Sequence, residues 1–147
     1  MTPSKTIAAY EADMLEELAY WHEEVTASSD DPQYQMLAAS MRDQLTFKRE
    51  RFDALKGQLK LGLELRSSFA WCILLKDPSH VGCYRYQLFD ERGFSGHVTR
   101  ATLEQAFIGA FNEGFDVEDD GALLRSWGTE AWHHGMRVCE LAQQLSA

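Results

Sequence analysis

The sequence predicts an α+β fold: an N-terminal antiparallel helical hairpin, a small antiparallel β-meander of three to four strands, and two C-terminal helices. Three observations carry this. Apolar residues recur at spacings of three and four from Ile7 to Leu55. The period falls to two beyond Gly57, from Leu59 to Leu65, and apolar and aromatic strand-like runs follow as far as Val98. Thr102-Leu103-Glu104-Gln105 is a capping box that restores a helical pattern. Helices and strands thus occupy separate stretches, as in the α+β class. A chain of 147 residues supports one domain with a buried core, subdivided here into residues 1–57, 58–98 and 99–147.

The first helix is expected over residues 5–26, where Ile7, Tyr10, Met14, Leu15, Leu18, Trp21 and Val25 form one stripe. Ser4 or Thr6 is the expected cap. After the loop Thr26 to Asp30, Asp31-Pro32 reads as an N-cap followed by proline at the first helical position. The second helix then runs to about Leu55, and the short loop makes the two helices antiparallel neighbours. Leu59, Leu61, Leu63 and Leu65 alternate with polar residues or Gly62, which predicts a strand. Phe69 to Leu75 reads as a buried strand and Cys83 to Phe89 as the next one. Asp90-Glu91-Arg92-Gly93 has the form of a hairpin turn leading to a short strand, Phe94 to Val98, with Gly96 at a bulge. A helix from Thr102 to Gly114 buries Leu103, Ala106, Phe107, Ala110 and Phe111. After the acidic loop Asp116 to Gly121, the last helix starts near Thr129 with Trp132, Met136, Cys139, Ala142 and Leu145 on one side.

The charge is uneven along the chain. The whole carries a net charge of −9, which disfavours direct binding to nucleic acid or to an anionic membrane. Residues 1–31 hold eight acids and one base, residues 32–100 eleven bases and seven acids, and residues 101–147 eight acids and two bases. Acid on the first helix can pair with the basic strip Arg42, Lys48, Arg49, Arg51, Lys56 and Lys60 on or just after the second. The alternative reading of the charge is that acid on the outer faces is a surface for a basic partner, with Asp13, Glu17, Glu24, Asp116, Glu118, Asp119 and Asp120 as the candidate contacts. Small acidic proteins of this size include nucleic-acid mimics that occupy the binding groove of an enzyme. A homodimer is compatible with the same composition.

The chemistry-bearing residues make no convergent set. Cys72, His80, Cys83 and Cys139 contain only one closely spaced pair, where zinc sites usually use two. Cys83 with His80 or His97 has the residue types of a nucleophile and its base, without a glycine elbow beside them. His133 and His134 are adjacent and diverge on a helix. Gly93-Phe94-Ser95-Gly96 lacks the lysine of a phosphate loop, and the acidic loop lacks calcium-loop spacing. The helix–meander–helix order over residues 32–114 resembles that of double-stranded-RNA-binding domains. Where that family sets lysines at its second helix, this chain offers only Arg100, followed by Glu104.

The expectation is therefore a small acidic, non-enzymatic protein-binding module, an inhibitor or adaptor that engages a basic surface of a partner such as a nucleic-acid-handling enzyme. No cofactor and no metal is expected. A small metal- or thiol-dependent enzyme around Cys83 and His80 is the competing reading, and a nucleic-acid binder using the basic strip is a third. Acidic residues from Glu11 to Glu24 stand where a signal peptide needs a basic flank, and the longest apolar run, Phe69 to Leu75, is far below the roughly 20 residues of a membrane helix. A cytoplasmic location is expected, with the three cysteines reduced.

Overall fold

The computed structural model describes residues 6–27 and 30–146, without the side chains of residues 138–140, 142, 143, 145 and 146. Ser4, Ser28 and Ser29, and the side chains of Cys139, Ala142 and Leu145, lie outside the described residues. The fold is α+β, in the order α1 (Ile7–Thr26), α2 (Pro32–Lys56), β1 (Glu64–Arg66), β2 (Trp71–Lys76), β3 (Tyr84–Asp90), β4 (Gly93–Arg100), α3 (Leu103–Asn112), β5 (Val117–Glu118), α4 (Ala122–Ser126) and α5 (Glu130–Ser146). The chain divides into two compact units, Met1–Gly57 and Gln58–Ala147.

In the first unit, Thr6 caps α1 by accepting from the Ala9 N–H, and Asp31 caps α2 by accepting from that of Gln33. Tyr10, Met14 and Leu18 of α1 are buried, as are Ala38, Phe52 and Leu55 of α2. The rings of Tyr10 and Phe52 meet at 5.0 Å, and the Lys56 ammonium meets the Glu11 carboxylate at 2.7 Å. Leu15, assigned to the buried stripe, is exposed because it lies one position past Met14, a rotation of about 100° around the helix.

In the second unit, five antiparallel strands form one sheet in the order β4-β3-β2-β1-β5. The sheet has five strands where three to four are expected, α4 is an additional short helix, and two stretches near β1 and β2 also differ from the expectation. The leucine alternation from Leu59 becomes a strand only at Glu64, because Gly62 turns the chain at a positive φ of 86°. Phe69 is 77% exposed at the tip of a turn, and the strand begins at Trp71. The Ser67 hydroxyl makes that turn by accepting from the N–H groups of Phe69 and Ala70.

The strands alternate their side chains between two faces. Cys72, Leu74 and Tyr86 lie on the face that α3 covers, where Ala106, Phe107, Ala110 and Phe111 are buried. Tyr86 passes beside Gly109, where a Cβ would lie 3.0 Å from its ring, and its hydroxyl donates to Glu113 at 2.5 Å. Ile73 and Phe89 occupy the other face, packed with Ala122 and Trp132 and flanked by Trp71, Phe94, Leu123 and Met136. The register shift lies between Leu88 and Phe89, opposite Gly96. Thr129 starts α5 by accepting from the Trp132 N–H. No described helix is long and apolar enough to cross a membrane.

Candidate functional site

The acidic candidates fall into two groups, one in each unit. On α1, Asp13 and Glu17 are exposed, whereas Glu24 is half-buried and accepts from the Tyr34 hydroxyl at 2.5 Å. That bond, first among several causes, holds the Tyr34 phenol well above its ordinary pKa. Glu16 and Glu23, also exposed, extend the acidic side of the helix. Of the basic strip, Lys56 pairs with Glu11 across the hairpin, while Arg42 and Arg49 meet acids of their own helix. Arg51 lies over the exposed Phe47 ring at 4.2 Å and Lys48 over Tyr10 at 5.9 Å.

In the second unit, the acidic segment is not the plain loop that its composition predicts. Val117 and Glu118 instead pair with Arg66 and Leu65 as an edge strand. Asp119 faces inward: one carboxylate oxygen accepts from the Trp71 indole N–H at 2.8 Å, and the other pairs with Arg125 at 2.7 Å. Arg125 first, and Trp71 second, hold this carboxyl below the usual carboxylate range. Glu118 and Asp120 are exposed, and Asp116 is half-buried.

Glu64, which is not among the candidate contacts, organises this region. Its carboxylate accepts from the backbone N–H groups of Gly121 and Leu123, and its carbonyl accepts from that of Asp119. No local pattern marks it, because the amides it meets lie 57 and 59 residues further along the chain.

Of the residues proposed for thiol or metal chemistry, Cys72, His80, Cys83 and His97 have described side chains. Cys72 is buried in β2, and burial pushes its thiol pKa far up. Cys83 is half-buried, and its N–H donates to the His80 carbonyl. The His80 imidazole lies 3.6 Å from the Asp77 carboxylate. Among the described residues, no group of three or more His, Cys, Asp and Glu side chains is placed to hold a metal.

One cluster of titratable groups, around Asp77 and Arg85, is buried. Asp77 accepts from Arg85 at 2.8 Å, from Thr99 through its second oxygen, and from the N–H groups of Ser79 and His80. Arg85, then Thr99, hold its carboxyl far below the ordinary range. Asp77 and Arg85 are only 5% and 8% exposed, so the pair fixes the β2–β3 connection rather than facing a ligand. Arg85 Nε has no partner among the described residues.

Compared with known proteins, the chain matches no family model, and no curated protein or solved structure reaches significance.

Proposed function

We propose that the chain is a small non-enzymatic protein-binding module whose acidic surfaces engage a basic surface of a protein partner. The role is that of an inhibitor or adaptor, and a nucleic-acid-handling enzyme has a surface of the right sign. The observation that carries this reading is the exposed acidic side of α1. Glu16, Glu17 and Glu23 face solvent, while Glu11 and Glu24 are engaged with Lys56 and Tyr34. In the second unit Glu118 and Asp120 are exposed beside the engaged Asp119. Charge left at the surface steers association with an oppositely charged partner. The non-catalytic half of the reading is supported by Asp77 and Arg85, a converging polar pair that is buried against itself.

The test is capture from the native cell, with an oligolysine column as the control for unspecific charge attraction. Wild type should retain a defined partner that the Glu16→Gln, Glu17→Gln, Glu23→Gln variant retains at least tenfold more weakly, with its melting temperature unchanged. Equal retention by wild type, this variant and a Glu118→Gln, Asp120→Asn variant would remove the acidic interface.

A further inference from the structure

Two adjoining clefts share Trp71 and Glu91. The larger, about 510 Å³, lies between the Ser67–Ala70 turn and the Asp90–Arg92 turn, with Arg66 and Phe69 also lining it. The smaller, about 320 Å³, continues past Trp71 toward Arg125 and Thr129. Volumes of roughly 300–1,000 Å³ are those that small ligands fill.

The walls are fixed before any ligand arrives. The Ser67 hydroxyl holds one turn through two backbone N–H groups. The Asp90 carboxylate holds the other by accepting from the Arg92 N–H at 2.7 Å. The Arg92 carbonyl is pressed against Gly135, where a Cβ would come within 1.8 Å of its oxygen. Trp71 is locked between the Asp119 carboxylate and the Phe89 ring, stacked at 5.9 Å with 17° between planes. A preformed site loses little conformational entropy on binding.

The charge balance in the larger cleft decides the sign of its ligand. Arg66 is exposed and its charge acts on Asp119 without closing a salt bridge among the described residues, and the Arg92 side chain, 80% exposed, reaches Asp90 only at 3.7 Å. The Asp90 carboxylate already faces the Arg92 backbone and guanidinium, which leaves Glu91 as the one uncommitted acid of the larger lining. Two guanidinium forks with spare donors suit an oxyanion, and an exposed Phe69 beside Trp71 suits a flat ring.

We infer that this cleft binds a small planar anion, an aromatic ring carrying a phosphate or carboxylate. The ring lies against Trp71 and Phe69, and the oxyanion lies between Arg66 and Arg92. This goes beyond the acidic-surface reading and is independent of it, since none of the acids proposed as partner contacts lines the larger cleft.

The experiment uses the ¹⁵N-labelled full chain and follows the Trp71 indole N–H resonance, assigned with Trp71→Phe. Adenosine monophosphate and indole-3-acetate are the anionic probes; adenosine and inorganic phosphate are the controls lacking one half. At least one anionic probe should give a saturable shift with a Kd of about 1 mM or tighter. Which one responds distinguishes a phosphate from a carboxylate source. The Arg66→Gln, Arg92→Gln variant should weaken binding at least tenfold while leaving the Trp132 indole resonance in place; if that resonance moves, Arg66→Gln alone is the deciding variant. The inference falls if neither anionic probe saturates, if adenosine or phosphate alone binds as tightly, or if the arginine variant binds as wild type does.

Discussion

The Glu64 carboxylate accepts a hydrogen bond from the Leu123 backbone N–H at 2.7 Å, and another from that of Gly121 at 3.1 Å. An acid from β1 thereby satisfies amides at the start of α4, where the helix needs acceptors and Gly121 has no side chain to supply one. Glu64→Ala leaves both amides without that acceptor. The expected cost is about 0.5–2 kcal/mol, the range for a lost helix cap, and Glu64→Gln should cost less because its amide oxygen still accepts. Urea melts of the two variants decide this. Equal midpoints for wild type and Glu64→Ala would show that water replaces the carboxylate freely.

Gly135 and Gly93 together set how closely the β3–β4 turn approaches α5. A Cβ at Gly135 would lie 1.8 Å from the Arg92 carbonyl oxygen, and one at Gly93 would lie 2.4 Å from the Met136 sulfur. The first obstacle is backbone, so it moves only if the turn or the helix moves. Gly135→Ala is expected to destabilise by about 1–3 kcal/mol, as overpacking does. Gly93→Ala should also destabilise, because its φ of 123° strains any other residue. Gly57→Ala is the control: its φ is −65°, its Cβ would meet ordinary contact distances, and neutral to mildly stabilising behaviour is expected. Thermal melts showing Gly135→Ala as tolerated as Gly57→Ala would contradict this packing.

Trp132 is 3% exposed at the centre of an aromatic group that includes Phe89, Phe94 and Trp127. Trp132→Ala should cost about 3–5 kcal/mol, the usual loss for a buried aromatic. Glu17→Ala, at an exposed site, should stay within about 0.5 kcal/mol. Trp71→Phe should fall between, since it keeps the stack on Phe89 and loses the bond to Asp119. Denaturant midpoints in any other order would displace the core from Trp132.

Acid should destabilise the second unit through two carboxylates whose pKa values are both lowered by folding, Asp77 beside Arg85 and Asp119 beside Arg125. A lowered folded-state pKa contributes stability above the unfolded value, near 3.9 for aspartate, and that stability is lost as pH falls through the folded value. The melting temperature should therefore hold between about pH 7 and 5 and fall below about pH 4. Asp119→Asn should flatten part of the fall. Asp77→Asn should lower the melting temperature already at pH 7, because it leaves Arg85 buried beside a neutral amide. A melting temperature that rises on acidification would refute both assignments.

Much of the fold was legible because local physics and tertiary packing agree. The Thr6 and Asp31 caps, the proline at the start of α2 and the Thr102 cap all stand where side-chain chemistry placed them. The β3–β4 turn ends at Gly93 with a positive φ, as its residue order requires. What was missed depends on partners distant in sequence. Val117 and Glu118 form a strand only because β1 offers them an edge, and two residues leave no periodicity to read. Asp119 looked like surface acid because Trp71, 48 residues earlier, gives no local sign that its indole will reach it. Phe69 looked buried by composition, but the Ser67 turn carries it outward. The acids of α1 could be counted from the sequence, but the division between engaged Glu24 and exposed Glu17 needed the position of Tyr34.

The acidic-interface proposal also makes a kinetic prediction that separates it from simple helix pairing. Once a basic partner is in hand, association should slow as salt rises, because the Debye length shrinks from about 10 Å at 0.1 M to about 3 Å at 1 M. Exposed rim charges act mainly on encounter, so the association rate should fall roughly tenfold or more over that range while dissociation changes little. Glu17→Gln should flatten the salt dependence without moving the melting temperature, since Glu17 faces solvent on α1. Glu11→Gln should do the reverse: it removes the partner of Lys56 within the hairpin and should lower stability by at most about 1 kcal/mol, leaving the association slope in place. Glu118→Gln with Asp120→Asn tests the second unit separately, with both residues exposed and Asp119 left to its bonds with Trp71 and Arg125. Stopped-flow traces at several salt concentrations measure each slope. An association rate independent of salt in wild type would end the acidic-interface reading and leave the charge of α1 to solubility and to pairs such as Glu11 with Lys56.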